Sequence, residues 1–109
     1  MDVEISVVSN SDDVKQELSD RIQAALTAIG LKAESYAKDL CPVDTGRLRN
    51  SITIANDGES VYIGTNVEYA AFVEIGTTKM KPRPYLRPAA TEHTEEYRQI
   101  MESALKSED

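Results

Sequence analysis

One apolar pattern constrains the fold more than any other feature. Val14, Leu18, Ile22, Ala25, Leu26, Ile29, Ala33, Tyr36, Ala37 and Leu40 recur every three or four residues, the spacing of one face of an α-helix. Ser9-Asn10-Ser11-Asp12-Asp13 ahead of it supplies capping oxygens and acids that complement the helix dipole. Cys41-Pro42 ends it, because proline turns the preceding residue away from helical backbone. About 27 residues at 1.5 Å each make a rod roughly 40 Å long. A compact chain of 109 residues has a radius of gyration of about 13 Å and is about 30 Å across. The helix therefore either bends, with Gly30 the obvious place, or projects and leaves apolar surface for a partner to cover.

Shorter elements fill the rest. Val3, Ile5 and Val7 alternate with polar residues as in a strand with one buried face. Between Pro42 and Ile52, Asp44 or Thr45 caps a short helix whose inner face is Leu48 and Ile52. Ile52-Thr53-Ile54 and Val61-Tyr62-Ile63 read as strands around an Asn56-Asp57-Gly58 turn. Val67 to Ile75 fits a helix with Tyr69, Phe72 and Val73 apolar and Gly76 as a left-handed C-cap. Pro82, Pro84 and Pro88 remove ladder donors and make 77–88 a loop or edge strand. Ala89 to Lys106 is a second long helix with Ala90, Tyr97, Ile100, Met101, Ala104 and Leu105 inward. The expectation is one α+β domain over 1–109. A small antiparallel sheet is packed by a long N-terminal helix, a short helix and a C-terminal helix, with a flexible, basic, proline-rich loop at about 77–88.

Composition narrows the chemistry. One Cys excludes an internal disulfide framework, and one His with one Cys excludes the common structural zinc sets. No apolar run reaches the roughly 18–20 residues of a membrane span, and an acidic start after Met1 is unlike a signal peptide, so a small soluble protein is expected. The net charge of −7 is unevenly spread. Residues 1–40 hold eight acids and four bases, 88–109 six and two, but 41–87 five and six. Four of those bases are Lys79, Lys81, Arg83 and Arg87. An acidic chain is a poor general DNA binder, because phosphate-seeking domains are basic overall. A local electrostatic contact through the basic segment fits better.

No catalytic constellation emerges. Asp44-Thr45-Gly46 matches the signature triplet of retroviral-type aspartic proteases, in which two carboxylates share a proton. Here it follows a helix end rather than a hydrophobic strand. Arg47 replaces the usual small residue, and the helix content conflicts with a nearly all-β fold. Cys41 and His93 are the only Cys and His; Cys41 reads as a buried small hydrophobe. His93 reads as solvated among Glu92, Glu95 and Glu96, and a metal site from Glu92, His93 and Glu96 would be open and weak. The glycines fall at separate element ends, so there is no phosphate loop. Glu74 stands out because it closes a helix, where a negative charge opposes the dipole. It is either an exposed, tolerated acid or an ion-pair partner of Arg47, Arg83 or Arg87 that pins the basic loop.

Three stretches carry a family resemblance. They are Cys-Pro-Val-Asp-Thr-Gly-Arg-Leu-Arg-Asn-Ser-Ile (41–52), Ile-Gly-Thr-Asn-Val-Glu-Tyr-Ala-Ala-Phe-Val-Glu-Ile-Gly-Thr (63–77) and Arg-Pro-Tyr-Leu-Arg-Pro-Ala (83–89). Their order and spacing resemble the small tail-completion, or neck, proteins of long-tailed bacteriophages and prophages, over about residues 12–105. Ile75 stands where that family often has an aromatic residue, and Tyr85 where it often has Phe. The resemblance implies a structural, non-enzymatic virion protein, made in the bacterial cytoplasm, that joins tail to head as a ring. Its partners would be its own copies and other tail or head-connector proteins, with DNA passing nearby. No cofactor, metal, membrane or small-molecule substrate is implied. On this reading Pro42, Asp44, Thr45, Gly46, Leu48, Gly64, Tyr69, Gly76, Pro84 and Pro88 form the structural motif. Arg47, Glu74, Lys79, Lys81, Arg83, Tyr85 and Arg87 are the expected subunit or partner contacts.

Overall fold

The computed structural model describes residues 1–5, 16–42 and 46–106. The expected Ser9–Asp13 cap, the positions of Val7 and Val14, and the roles of Asp44 and Thr45 lie outside the described residues. In chain order the elements are β1 (Asp2–Ile5), α1 (Gln16–Leu40), α2 (Arg47–Ser51), β2 (Thr53–Asn56), β3 (Val61–Gly64), α3 (Ala70–Ile75), α4 (Leu86–Thr91) and α5 (Thr94–Leu105). The fold is α+β, as the sequence pattern implies.

The sheet is antiparallel throughout, in the order β1-β3-β2. Val3, Ile63 and Ile54 stand in register, as do Ile5, Val61 and Asn56. These two rows share the face that carries the helices, β2 and β3 against α1 and β1 against α4. Ile5, Val61 and Ile63 are buried, and the Asn56 amide donates to the Gln23 carbonyl and the Thr27 hydroxyl of α1. The β2–β3 turn is tied by Asp57, whose carboxylate accepts the backbone N–H groups of Glu59 and Ser60. Those two bonds hold the Asp57 carboxyl below its ordinary pKa.

α1 is a single unbroken helix, and Gly30 serves a different purpose from bending. A Cβ at position 30 would lie 2.7 Å from Val61 Cγ2 and 2.8 Å from Ile54 Cδ1. Glycine therefore lets the helix sit against the sheet. The length problem is resolved by shape: the molecule measures 55 × 22 × 21 Å, with a radius of gyration of 15.5 Å. Ile22, Ala25, Leu26, Ile29, Ala33 and Ala37 are buried along the helix. Most of the apolar stripe is thus covered within the chain, although Leu40, expected in it, is exposed, as is Leu31 beside it.

The C-terminal half departs from the expected single helix. α4 begins at Leu86, ahead of Pro88, and the chain turns at Glu92-His93 before α5. Pro88 occupies the first turn of α4, where its missing N–H leaves no intrahelical bond unmade. At the turn, His93 is half-buried and stacks on Tyr36 of α1, with ring centroids 3.7 Å apart and planes 9° apart. It is not on a solvated face. Buried Tyr97 donates its hydroxyl to the Ala89 carbonyl across the break. α5 then runs antiparallel along α1, from Tyr36 and Lys32 opposite Glu96 to Arg21 opposite Lys106. Leu105, expected inward, is exposed.

Candidate functional site

The three motif stretches converge around α2, α3 and the start of α4. α2 is shorter than a full amphipathic helix, and its N-cap is Gly46, at φ 83°, with no side-chain cap bond. Leu48 is its buried anchor, and half-buried Pro42 follows α1. Arg47 reaches Glu68 through two bonds, of 3.3 and 3.1 Å, and its guanidinium lies 5.5 Å from the Tyr69 ring centroid. The Glu68 carboxyl is held below its usual range by its own backbone N–H and then by Arg47. Gly64, buried at the end of β3, leads into Thr65, whose hydroxyl accepts the Val67 N–H. α3 therefore starts at Ala70, later than the expected Val67.

Glu74 is the centre of this corner, and neither expected role describes it. Its carboxylate is buried and accepts the N–H groups of Tyr85 (3.0 Å) and Leu86 (2.9 Å) on Oε1 and of Arg87 (3.1 Å) on Oε2. These donors lie in the first turn of α4, where helical N–H groups have no intrahelical partner. Glu74 of one helix thus caps another across the intervening loop. An acid opposed to the dipole of its own helix favours the positive end of the next. Its partners are backbone groups, so it forms no ion pair with Arg47, Arg83 or Arg87.

The loop between α3 and α4 is shaped at both ends. Gly76 has φ 80° and ψ 175°, a positive-φ conformation that glycine tolerates, though more extended than the expected left-handed cap. A Cβ there would lie 2.8 Å from both the Met80 carbonyl oxygen and the Pro82 nitrogen. Thr77 and Met80 exchange backbone hydrogen bonds, and the Arg83 N–H donates to the Val73 carbonyl. The segment is loop up to Tyr85, with no strand, and residues 86–88 belong to α4. Tyr85 is fully buried, donates its hydroxyl to the Ala70 carbonyl, and has its pKa raised by that burial.

Glu74 and Tyr85, expected as contacts, are buried in this chain and offer no surface to a partner; they position the loop that carries the others. Lys79, Lys81, Arg83, Pro84 and Arg87 are exposed. Among the described residues no carboxylate pairs with Lys79, Lys81, Arg83 or Arg87. The sequence reading missed Phe72 and Ile75. The pattern marks Phe72 only as an apolar residue of the helix and Ile75 only as its last position; they are 55% and 67% exposed, with Met80 exposed nearby on the loop. Only their i, i+3 spacing signals a shared face, and spacing does not say which face is covered. Cys41 is buried as expected, with its thiol pKa raised by burial, and Arg49, Arg83 and Glu74 lie within electrostatic reach of it. The loop thus sits at the C-terminal end of α1.

The sequence profile of the family described as "Bacteriophage HK97-gp10, putative tail-component" matches residues 6–76, well over half of the chain. The protein belongs to the HK97-gp10-like family. The match takes in the first motif and all of the second but its final Thr77, and stops at Gly76, before the basic loop. A bacteriophage tail component works in the virion, in contact with other phage structural proteins. No curated protein and no solved structure matches the chain. The α+β architecture is not the nearly all-β fold that the Asp44-Thr45-Gly46 protease reading requires. No described helix is long and apolar enough to cross a membrane.

Proposed function

We propose that this HK97-gp10-like chain is a tail-completion, or head–tail joining, component that assembles as a ring at the tail–neck junction. The observation that carries the reading is the corner built on Glu74. A loop bearing Lys79, Lys81 and Arg83 is shaped from inside the domain and presented outward, without acidic partners among the described residues. Ordering an exposed, charged loop has an entropic cost, so a loop fixed in this way is prepared for a partner. An acidic chain favours a protein partner over DNA, which must pass through the neck without adhering.

The test is incorporation. Tails assembled with the full chain should carry it as a ring at the head-proximal end in electron micrographs. Deleting residues 78–82 should leave the circular dichroism spectrum unchanged and remove the ring. Normal tails carrying the deleted chain would overturn the role of the loop. DNA contact through Lys79, Lys81 and Arg83 would appear instead as duplex binding that falls steeply with salt.

A further inference from the structure

On the face turned away from α1 and α4, the sheet carries an acidic recess. Asp2, Gly64 and Thr53 stand in register there, as do Glu4, Tyr62 and Ala55. The recess measures about 700 Å³, and Thr53, Ala55 and Gly64 give it a floor of small residues beside Tyr62. Small side chains in the floor leave room for larger apolar ones. Asp2 lines the recess, and no Lys or Arg does. The Met1 ammonium at its rim donates to the Thr65 carbonyl at 3.0 Å. Glu4 and Asp57 carry the negative charge further along the face, and the charge of Glu4, then that of Asp57, raises the Tyr62 hydroxyl pKa. Asp2 and Glu4 are exposed, with no cationic side-chain partner among the described residues.

The corner built on Glu74 presents the converse. Phe72 and Ile75 are more than half exposed on α3, with Met80 exposed nearby. Lys79 and Lys81 flank Met80, exposed and without a carboxylate partner among the described residues. From these two surfaces we infer that a second copy of the chain occupies the recess on the sheet. Phe72 and Ile75 of one molecule cover the small-residue floor of the next, with Lys79 and Lys81 against Asp2 and Glu4. Each surface supplies what the other lacks, large apolar groups for the floor and cations for its carboxylates. The same chain carries both, which argues for self-association over a foreign partner. No residue belongs to both surfaces, so the contact is heterologous and propagates head to tail until rotation closes it. The inference rests on the assembly role proposed above and names the surfaces that role would use.

Sedimentation of the full chain over a concentration series tests it. The wild type should self-associate, and rising salt should weaken that association. Phe72→Ser with Ile75→Ser should abolish it while leaving the thermal melt unchanged, since both side chains are exposed. Ala55→Tyr, which fills the recess from an exposed strand position, should abolish it too. Lys79→Glu with Lys81→Glu, and separately Asp2→Lys with Glu4→Lys, should each weaken it by roughly tenfold or more. An equimolar mixture of those two charge-reversed proteins should associate again, because each now presents what the other needs. A wild type that stays monomeric at every concentration, an Ala55→Tyr protein that associates normally, or a mixture that remains dissociated overturns the inference. Incorporation of a monomeric chain into tails would do so while sparing the assembly role. Self-association through these residues, with no chain in tails, would overturn the role and spare the contact.

Discussion

Glu74 and Glu96 are two helical glutamates that fasten neighbouring elements together by opposite means. Glu74 is buried, and its carboxylate accepts three backbone N–H groups at the start of α4. The Glu96 side chain is one-third exposed and binds side chains of α1, the Tyr36 hydroxyl and, at 3.0 Å, Lys32 Nζ. Backbone donors cannot rotate away or reach water once the corner is packed. Surface side chains can do both. The comparison predicts that the interior carboxylate determines the shape of the loop, whereas the surface cluster adjusts a helix contact that apolar packing already secures.

The largest effect should follow removal of the interior carboxylate. Glu74→Ala leaves three donors in a buried corner, and the loss should be roughly 3 kcal/mol or more, read by chemical denaturation. Hydrogen exchange should accelerate at Tyr85, Leu86 and Arg87 before the sheet is affected. Glu74→Gln keeps one carbonyl acceptor for Tyr85 and Leu86 but brings an amide donor up to the Arg87 N–H, so about half that loss is expected. A Glu74→Ala protein as stable as the wild type would show that the corner is held by Tyr85 and Leu86 packing alone, and the contrast between the two glutamates would collapse.

Much of the fold is legible in local patterns. The helical spacing from Leu18 to Leu40, the alternation at Val3 and Ile5 and the Asn56-Asp57-Gly58 turn need no distant information, and each forms where its pattern lies. The features that were not legible depend on distant partners. Glu74 is conspicuous in sequence because it closes a helix, but its partners are backbone N–H groups 11 to 13 residues further on, and backbone groups have no letter to read. The turn at Glu92-His93 interrupts residues that suit a helix, and stacking on Tyr36 accompanies it. For the candidate site, the basic loop is legible from its charges. The apolar half, Phe72 and Ile75, is hidden because a six-residue helix with apolar residues on two faces does not say which one the core takes.

Gly30 sharpens the same lesson with a sign rather than a size. If it were a bending point, Gly30→Ala would stiffen α1 and stabilise the protein by about 1 kcal/mol through helix propensity. The close approach to Val61 and Ile54 predicts the opposite. Overpacking of this kind costs about 1–3 kcal/mol, so the net change should be a loss of roughly 1 kcal/mol in denaturant titration. A stabilised variant would mean that the two side chains move aside and that contact with the sheet does not require glycine.

The smallest effect belongs to Glu96 and is best read through pH. Its carboxyl is held below the ordinary value of 4.5 first by the Tyr36 hydroxyl and then by Lys32. A carboxyl with a depressed pKa in the folded state releases its proton more readily there than in the unfolded chain. Its stabilising contribution is therefore complete above the unfolded pKa and is lost as pH falls through the lower folded value. The melting temperatures of wild type and Glu96→Gln should differ slightly at neutral pH and converge on acidification below 4.5. The same substitution at position 74 should keep a clear deficit at neutral pH, because the amide donor still opposes the Arg87 N–H. A neutral-pH deficit for Glu96→Gln as large as that for Glu74→Gln would mean that the α1–α5 contact depends on its surface charges, and that the interior corner is not the more tightly fastened of the two.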